Sequence, residues 1–339
     1  MGRLKLTLLL LVALGTTGGP LCAQQGNQDV VVLADTKGTQ RVTGTVLKET
    51  WQTVEVDRAG SGKADVAYET DQVRRIEYAN QPRYMIDARL LKRNPKELID
   101  KLSRAYVDDS TPNYVLQHAY YQIAATYAEL AKTDAAMLPK AVEAYDKLFS
   151  KIPDTRYAVT GRIELGNLLL DKGQGDQAIK QFKILADGGY GPKVARQGKL
   201  MVARMQMSLK QFDQAEKLLS DLATGGVGES AEFAQEVKLL RSRSLVGHKK
   251  FEEAYRDIQA VLADKPTERM LGMAYGVLGD LFAAKGLYKT ALTAYLKVPM
   301  MYGAADDTEK VLAVEQACLM LEKLGRAEEA RTLKKQLGE

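Results

Sequence analysis

Six alanines set the rhythm of most of this 339-residue chain. Ala141, Ala178, Ala215, Ala254, Ala291 and Ala330 lie 37, 37, 39, 37 and 39 residues apart. Self-similarity at a period of roughly 20–50 residues marks a stacked array rather than one closed core. The text around each alanine repeats as well: "LPKA" ends at Ala141, "GDQA" at Ala178, "FDQA" at Ala215, "FEEA" at Ala254 and "AEEA" at Ala330. Twelve residues before Ala178, Ala215 and Ala291 stand Gly166, Ala203 and Gly279, preceded by Leu165, Val202 and Leu278. Ser242 takes this small slot before Ala254, and Ala124 takes it in the first unit, with a longer loop before Ala141. Four residues after the alanines come Tyr145, Phe182, Leu219, Ile258 and Tyr295.

This pattern resembles the tetratricopeptide repeat family, whose Leu-Gly…Tyr…Ala…Phe signature spans two antiparallel helices. The resemblance covers five complete units and a final one over 313–339. It implies a mainly α fold, a tetratricopeptide-type α-solenoid (a right-handed superhelix of helical hairpins) over 113–339. The family unit is about 34 residues; the extra residues here lengthen loops such as "DGGYGP" (187–192) and "TGGVGES" (224–230). Pro153 and Pro266 fall where the family often ends a unit. Close approach of two helix backbones needs small side chains. The expectation is that Gly166, Ala203 and Gly279 face Ala178, Ala215 and Ala291, with the aromatics filling space between units. Residues 81–112 read as a helical connector or degenerate zeroth repeat, with Pro95 in the first turn of a second helix. The charged C-terminal run "GRAEEARTLKKQLGE" suits an end cap.

Residues 30–80 have a different texture. Five short strands are expected at 30–34, 41–49, 53–57, 66–69 and 73–78, with Val42, Gly44 and Val46 on one face and Val54 and Val56 inward. Five strands in so short a stretch suggest a small barrel, because closure removes unpaired edges. The run resembles Sm-like and SH3-like barrels and reads as an assembly or protein–protein module; Trp51 reads as a half-buried lid. The "AGSGKAD" segment is not a phosphate loop, because Asp57 and Ala64 occupy positions that need Gly and Ser/Thr.

The N-terminus resembles a secretory signal peptide: Arg3 and Lys5, an apolar run from Leu6 to Leu14, a breaker at 15–20, and a small-residue cut at Cys22-Ala23. The expected division is a signal peptide at 1–23, a short linker at 24–29, then the β module. Extracytoplasmic localisation, periplasmic or secreted, follows. Gly19-Pro20-Leu21 make a poor lipobox before Cys22, so peripheral membrane association follows only if Cys22 is lipidated. Cys318, left alone in the mature chain, fits a helical apolar pattern as a small buried hydrophobe.

A net charge of +5 without a like-charged block gives no case for nucleic acid. The two histidines, His118 and His248, lie in different units, and no zinc, calcium or nucleophile signature is present. The chain reads as a non-enzyme, without cofactor or metal. What remains is the groove that stacking creates. In the family, the position after the small slot points into it, which gives Ala125, Asn167, Arg204, Arg243 and Asp280; one turn earlier lie Tyr121, Ile163, Leu200, Leu239 and Gly276. Tyr121, Asn167, Leu200, Arg204, Leu239, Arg243 and Asp280 are the expected groove residues. The polar ladder is similar to the family's carboxylate clamp, and arginine forks suit carboxylates. The competing reading is that both arginines solvate a helix face or pair with Glu236 and Asp171. The function expected is an exported scaffold that binds a peptide or an envelope protein, as the fold-level likeness to cell-envelope assembly factors implies. The alternatives are a structural homo-oligomer organised through residues 30–80, and a non-catalytic accessory subunit of an envelope enzyme or assembly machine.

Overall fold

The computed structural model describes residues 28–35, 38–79, 93–106, 113–224, 230–303, 305 and 307–336. The signal-peptide segment 1–23, residues 24–27 of the expected linker, and residues 81–92 and 107–112 of the expected connector lie outside them. The chain forms two compact units, 1–88 and 89–339.

In the first unit, five antiparallel strands appear: β1 (Asp29–Asp35), β2 (Gly38–Glu49), β3 (Thr53–Asp57), β4 (Val66–Glu69) and β5 (Val73–Glu77). Their order is β4-β3-β2-β1-β5. The expected barrel is not closed: β4 and β5 are the two edges of an open sheet and do not bond to each other. The reason is geometric. β4 has only four residues, all paired to β3, and a single 3₁₀ turn (Thr70–Gln72) carries the chain straight from it to β5. Short edge strands limit the unpaired backbone without closure. The sheet still has one core. Val31, Leu33, Val42, Val46, Val54, Val56 and Val73 are buried together, with Val66, Tyr68 and Ile76 packed against them.

β2 serves two partners, β1 through its first half and β3 through its second. Gly44 stands at the changeover, where a Cβ would lie 2.6 Å from Val56 Cγ1 and 2.8 Å from the Asp57 carbonyl. Only glycine lets the strands come that near. Trp51 is half-buried beside the β2–β3 turn. The glycine-rich loop after β3 already holds an anion, the buried Asp57 carboxylate. It accepts from the Ser61 N–H at 3.1 Å and the Gly62 N–H at 2.6 Å.

The second unit is a run of helices. α1 (Pro95–Tyr106) leads it. Six hairpins follow: α2 (Asn113–Thr133) with α3 (Leu138–Lys151), α4 (Ala158–Asp171) with α5 (Gly175–Asp187), and α6 (Gly191–Ser208) with α7 (Phe212–Thr224). Then come α8 (Ala231–Gly247) with α9 (Phe251–Ala263), α10 (Glu268–Ala284) with α11 (Tyr288–Met301), and α12 (Asp307–Lys323) with α13 (Ala327–Gln336). This is an α-solenoid of the expected class. All six period-setting alanines are buried.

The small slot works differently from the expectation. At Gly166 an added Cβ would overlap the Phe182 ring, and at Gly279 it would overlap the Tyr295 ring. The residue received is therefore the one four after the alanine in the same hairpin, rather than the alanine alone. Slot and guest are sixteen residues apart, and their sizes compensate: Gly166 with Phe182, Gly279 with Tyr295, Ala203 with Leu219, Ser242 with Ile258. In native-density packing, volume added on one side must be removed on the other. Cys318 fills the slot of the last hairpin, fully buried, its thiol donating to the Ala330 carbonyl at 3.6 Å. Tyr145 is the exception. It lies against the next hairpin, where a Cβ on Gly161 would meet its Cε1 at 3.2 Å.

Two further repeat positions finish the hairpins. Seven residues after the slots of hairpins two to six, Gly173, Lys210, Lys249, Gly286 and Gly325 all have φ between 59° and 76°. The following N–H bonds back across the helix end in each case, as Gln174 does to Leu169 and Leu287 to Phe282. This left-handed turn ends a helix without orphaned carbonyls. Seven residues before the slot, Gln117, Arg196 and Gln235 reach the far end of their own hairpin. Gln117 accepts from Thr155 Oγ1 at 2.8 Å and Arg196 donates to the Leu222 carbonyl at 2.6 Å. Gln235 donates to the Asp264 carbonyl at 2.9 Å.

Two tests follow from this packing. Gly166→Ala should destabilise the protein by about 1–3 kcal/mol, and the same change in a Phe182→Leu background should cost much less. Calorimetric melts of the four proteins measure the coupling; additive effects would contradict the pairing. The second concerns Asp57. Burial pushes its carboxyl up, but the N–H groups of Gly62, Ser61, Gly60 and Ala59 outweigh that and hold it below the ordinary 3.8. Its stabilising contribution is thus complete above pH 3.8 and lost as pH falls through the lowered value. An NMR titration midpoint at or above 3.8 would contradict this.

Candidate peptide-binding groove

Which face of the stack is concave follows from how the helices touch. The first helices of consecutive hairpins contact each other at α2–α4, α6–α8, α8–α10 and α10–α12. The second helices instead pack on the next first helix, as α5 does on α6, α7 on α8 and α11 on α12. Closer spacing among the first helices bends the stack toward them and makes their exposed side the inner face.

On hairpins three to six this face is a mesh of ion pairs. Arg204 on α6 pairs with Glu236 on α8. Arg269 on α10 meets Glu236 at 2.9 Å and Glu232 at 2.8 Å. Arg243 on α8 meets Asp280 on α10 at 2.8 Å and Glu309 on α12 at 2.7 Å, tying three hairpins together. Burial would pull the Arg243 guanidinium down, but Glu309 and Asp280 beside it hold it above its ordinary range. Asp280 also accepts from the Tyr295 hydroxyl at 2.8 Å. Burial and the Asp280 charge both raise the Tyr295 phenol, so it stays a donor. Gly276 makes this junction sterically feasible: a Cβ there would collide with the Glu309 carboxylate and lie 3.3 Å from Arg243 Nη2.

Hairpins one and two differ. Between α2 and α4 lies a cavity of about 760 Å³, bounded also by Pro95 of α1. Ala125, Ala128, Leu130, Leu168 and the Tyr145 ring supply apolar wall; Thr126, Thr133 and Asn167 supply polar wall. Its charged lining is Glu129, Glu164, Asp171 and Lys132. Glu164 is fixed by two phenols, Tyr121 and Tyr145, each donating at 2.7 Å. Burial first, then the Glu164 charge, pushes both phenols up, so they remain donors. Tyr121 is braced in turn by the Tyr157 ring, stacked 3.9 Å away and nearly parallel. Lys132 pairs with Glu129 at 2.6 Å and is raised mainly by that bond, with Asp171 and Glu164 adding to it.

The structure distributes the expected groove residues unevenly. Asn167 is exposed and lines the cavity, and Tyr121 stands behind it through Glu164. Arg204, Arg243 and Asp280 lie in the ion-pair mesh, away from the cavity. Arg204 is about half exposed (47%) while Arg243 is largely covered (21%). Leu200 and Leu239 are buried in the core cluster of hairpins three to five. They sit on the flank of their helices that meets neighbouring helices, so they form no apolar row along the face. Sequence reasoning missed Glu129, Glu164, Arg269 and Glu309; of the two carboxylates it offered as arginine partners, Glu236 does pair with Arg204, while Asp171 lines the cavity instead. Glu164 lies two before the slot and Asp171 five after it, helical spacings that share the face with Asn167.

Residues 112–226 match the tetratricopeptide repeat-like domain. DnaJ homolog subfamily C member 3 of Gallus gallus is 25% identical over 228 residues, 67% of this chain. The chain spans about 40% of the length of that curated relative. Among solved structures, NprR in complex with its cognate peptide NprX has a TM-score of 0.50 at 17% identity, covering 74% of this chain and 72% of its own. The apo form of the quorum sensor NprR from B. thuringiensis has a TM-score of 0.46 at 17% identity, covering 71% of this chain and 68% of its own. At such identity the likeness to the peptide complex is one of fold alone.

Arg243→Ala would leave Asp280 and Glu309 facing each other without a cation. It should cost on the order of 3–5 kcal/mol. Arg204→Ala should cost about 1 kcal/mol or less, because Glu236 keeps Arg269. Differential scanning calorimetry checks both; equal losses would contradict the division between tie and surface pair.

Proposed function

We propose that the chain is an exported scaffold that holds a peptide, or an extended segment of another protein, along the inner face of its repeat array. The observation that carries this reading is the cavity between α2 and α4. It is lined chiefly by α2 and α4, two first helices, and joins apolar wall to hydrogen-bonding groups. Such mixed concave surfaces are what small ligands and side chains occupy. The peptide held by NprR, a protein of similar fold, supports the class of ligand. The carboxylates and arginines of hairpins three to six are engaged with one another, which suits a rigid frame rather than a catalytic centre. Export rests on the sequence of residues 1–23 alone. A second reading, self-association through residues 30–80, draws on the two unbonded sheet edges, β4 and β5.

A photo-crosslinking amino acid placed at Asn167, and separately at exposed Lys183 on α5, tests the groove. In envelope extracts the Asn167 protein should give a discrete adduct and the Lys183 protein none. Adducts only from Lys183, or from neither, would contradict the proposal.

A further inference from the structure

The cavity has a charge that the rest of the inner face lacks. In the mesh of hairpins three to six, each carboxylate named above has a guanidinium within pairing distance. The cavity lining holds three carboxylates and one ammonium, and among the described residues Lys132 pairs with Glu129. Lys172, outside the lining, donates its ammonium to the Lys132 carbonyl at 3.0 Å and brings a second positive charge to the rim, which still leaves three carboxylates against two ammonium groups. Among the described residues Glu164 accepts from two neutral phenols and is hydrogen-bonded to no cation, Lys132 acting on it only at longer range. Asp171 is exposed at the rim. The lining is thus negative, and the least balanced charge, Glu164, is also the most rigidly held.

From this we infer that the cavity receives a lysine or arginine side chain of the bound peptide. The inference rests on the scaffold reading above and names its ligand class. The wall suits such a guest in both its parts. A lysine or arginine stem can lie along Ala125, Ala128, Leu168 and Pro95, leaving its charged head among the carboxylates. Two of the acceptors cost little to organise. Glu164 is held by Tyr121 and Tyr145, and Asn167 sits one turn from it on the same helix, able to accept through its amide oxygen. Charge complementarity of this kind selects among partners more than it adds raw affinity. It also reverses the expectation drawn from the arginine ladder. A peptide carboxylate would find Arg243 already held by two carboxylates and Arg204 held by one, and would be repelled at the cavity.

Selection of a random heptapeptide display library on the purified full-length protein tests this directly. Enriched sequences should carry Lys or Arg at one fixed position. A synthetic peptide from the enriched set should bind about tenfold or more weaker when that residue becomes Gln. The discrimination should shrink in a Glu129→Gln/Asp171→Asn variant. Both residues are exposed, and Glu164 with its tyrosines is untouched, so an unchanged melt confirms that the variant is folded. Enrichment of acidic or uncharged peptides would overturn the charge assignment and leave the scaffold reading standing. So would Lys/Arg enrichment that the double variant leaves intact. No enrichment of any sequence would overturn both.

Discussion

The structure of the repeat array depends on one contact, the seating of a large side chain in a gap left by a small one. Within each hairpin the two helices can lie side by side only if the volume at their crossing is shared. Phe182 occupies the space above Gly166 and Tyr295 the space above Gly279. Where the slot carries a methyl or hydroxymethyl group, at Ala203 and Ser242, the guest is Leu219 or Ile258. Burial of these guests is nearly complete, and their positions recur with the period of the chain. Hairpins two to five are knit in this way, and stacking them against their neighbours extends the core along the array.

The inner face inherits its chemistry from this packing. The slot fixes the rotation of each first helix, so the residue after it must project from the stack. That places Asn167, Arg204, Arg243 and Asp280 on one side. Consecutive first helices are close enough for an arginine on one to reach carboxylates on the next two, as Arg243 does. The guest Tyr295, and Tyr145 that packs instead on the next hairpin, add a second function. Their rings fill the core while their hydroxyls emerge to hold acidic groups: Tyr295 holds Asp280, and Tyr145 holds Glu164. A frame of mutual ion pairs at one end and an unbalanced acidic cavity at the other is the outcome.

Much of the architecture was legible in the sequence, and what escaped it has a physical reason. The alanine period gave the helical hairpins and their number, because small residues at a crossing are a local requirement that each unit must meet. The alternation of Val42, Gly44 and Val46, and of Val54 and Val56, located strands whose side chains are indeed buried. Closure of the sheet was not legible, since it depends on whether β4 and β5 meet across space. Nor was the slot's true guest, although the sixteen-residue pairing of Gly with aromatic and of Ala or Ser with aliphatic was there to be read. The groove was harder still. Its exposed positions could be placed by register, but the partners of Arg243 lie 37 and 66 residues away, and only the superhelical offset between hairpins decides which carboxylates arrive. The same offset leaves Glu164, among the described residues, hydrogen-bonded to two phenols and to no cation. Leu200 and Leu239 show the limit from the other side: a position one turn from the groove was read as groove, while neighbouring helices cover it.

The most direct measurement of the central claim is the NMR environment of the slot glycines. If the rings of Phe182 and Tyr295 sit on Gly166 and Gly279, the Hα protons of both glycines will be shifted upfield by ring current. They will also show strong cross-relaxation to the aromatic protons sixteen residues away. Hα shifts of ordinary helical glycine, with no cross-peaks to those rings, would contradict the account.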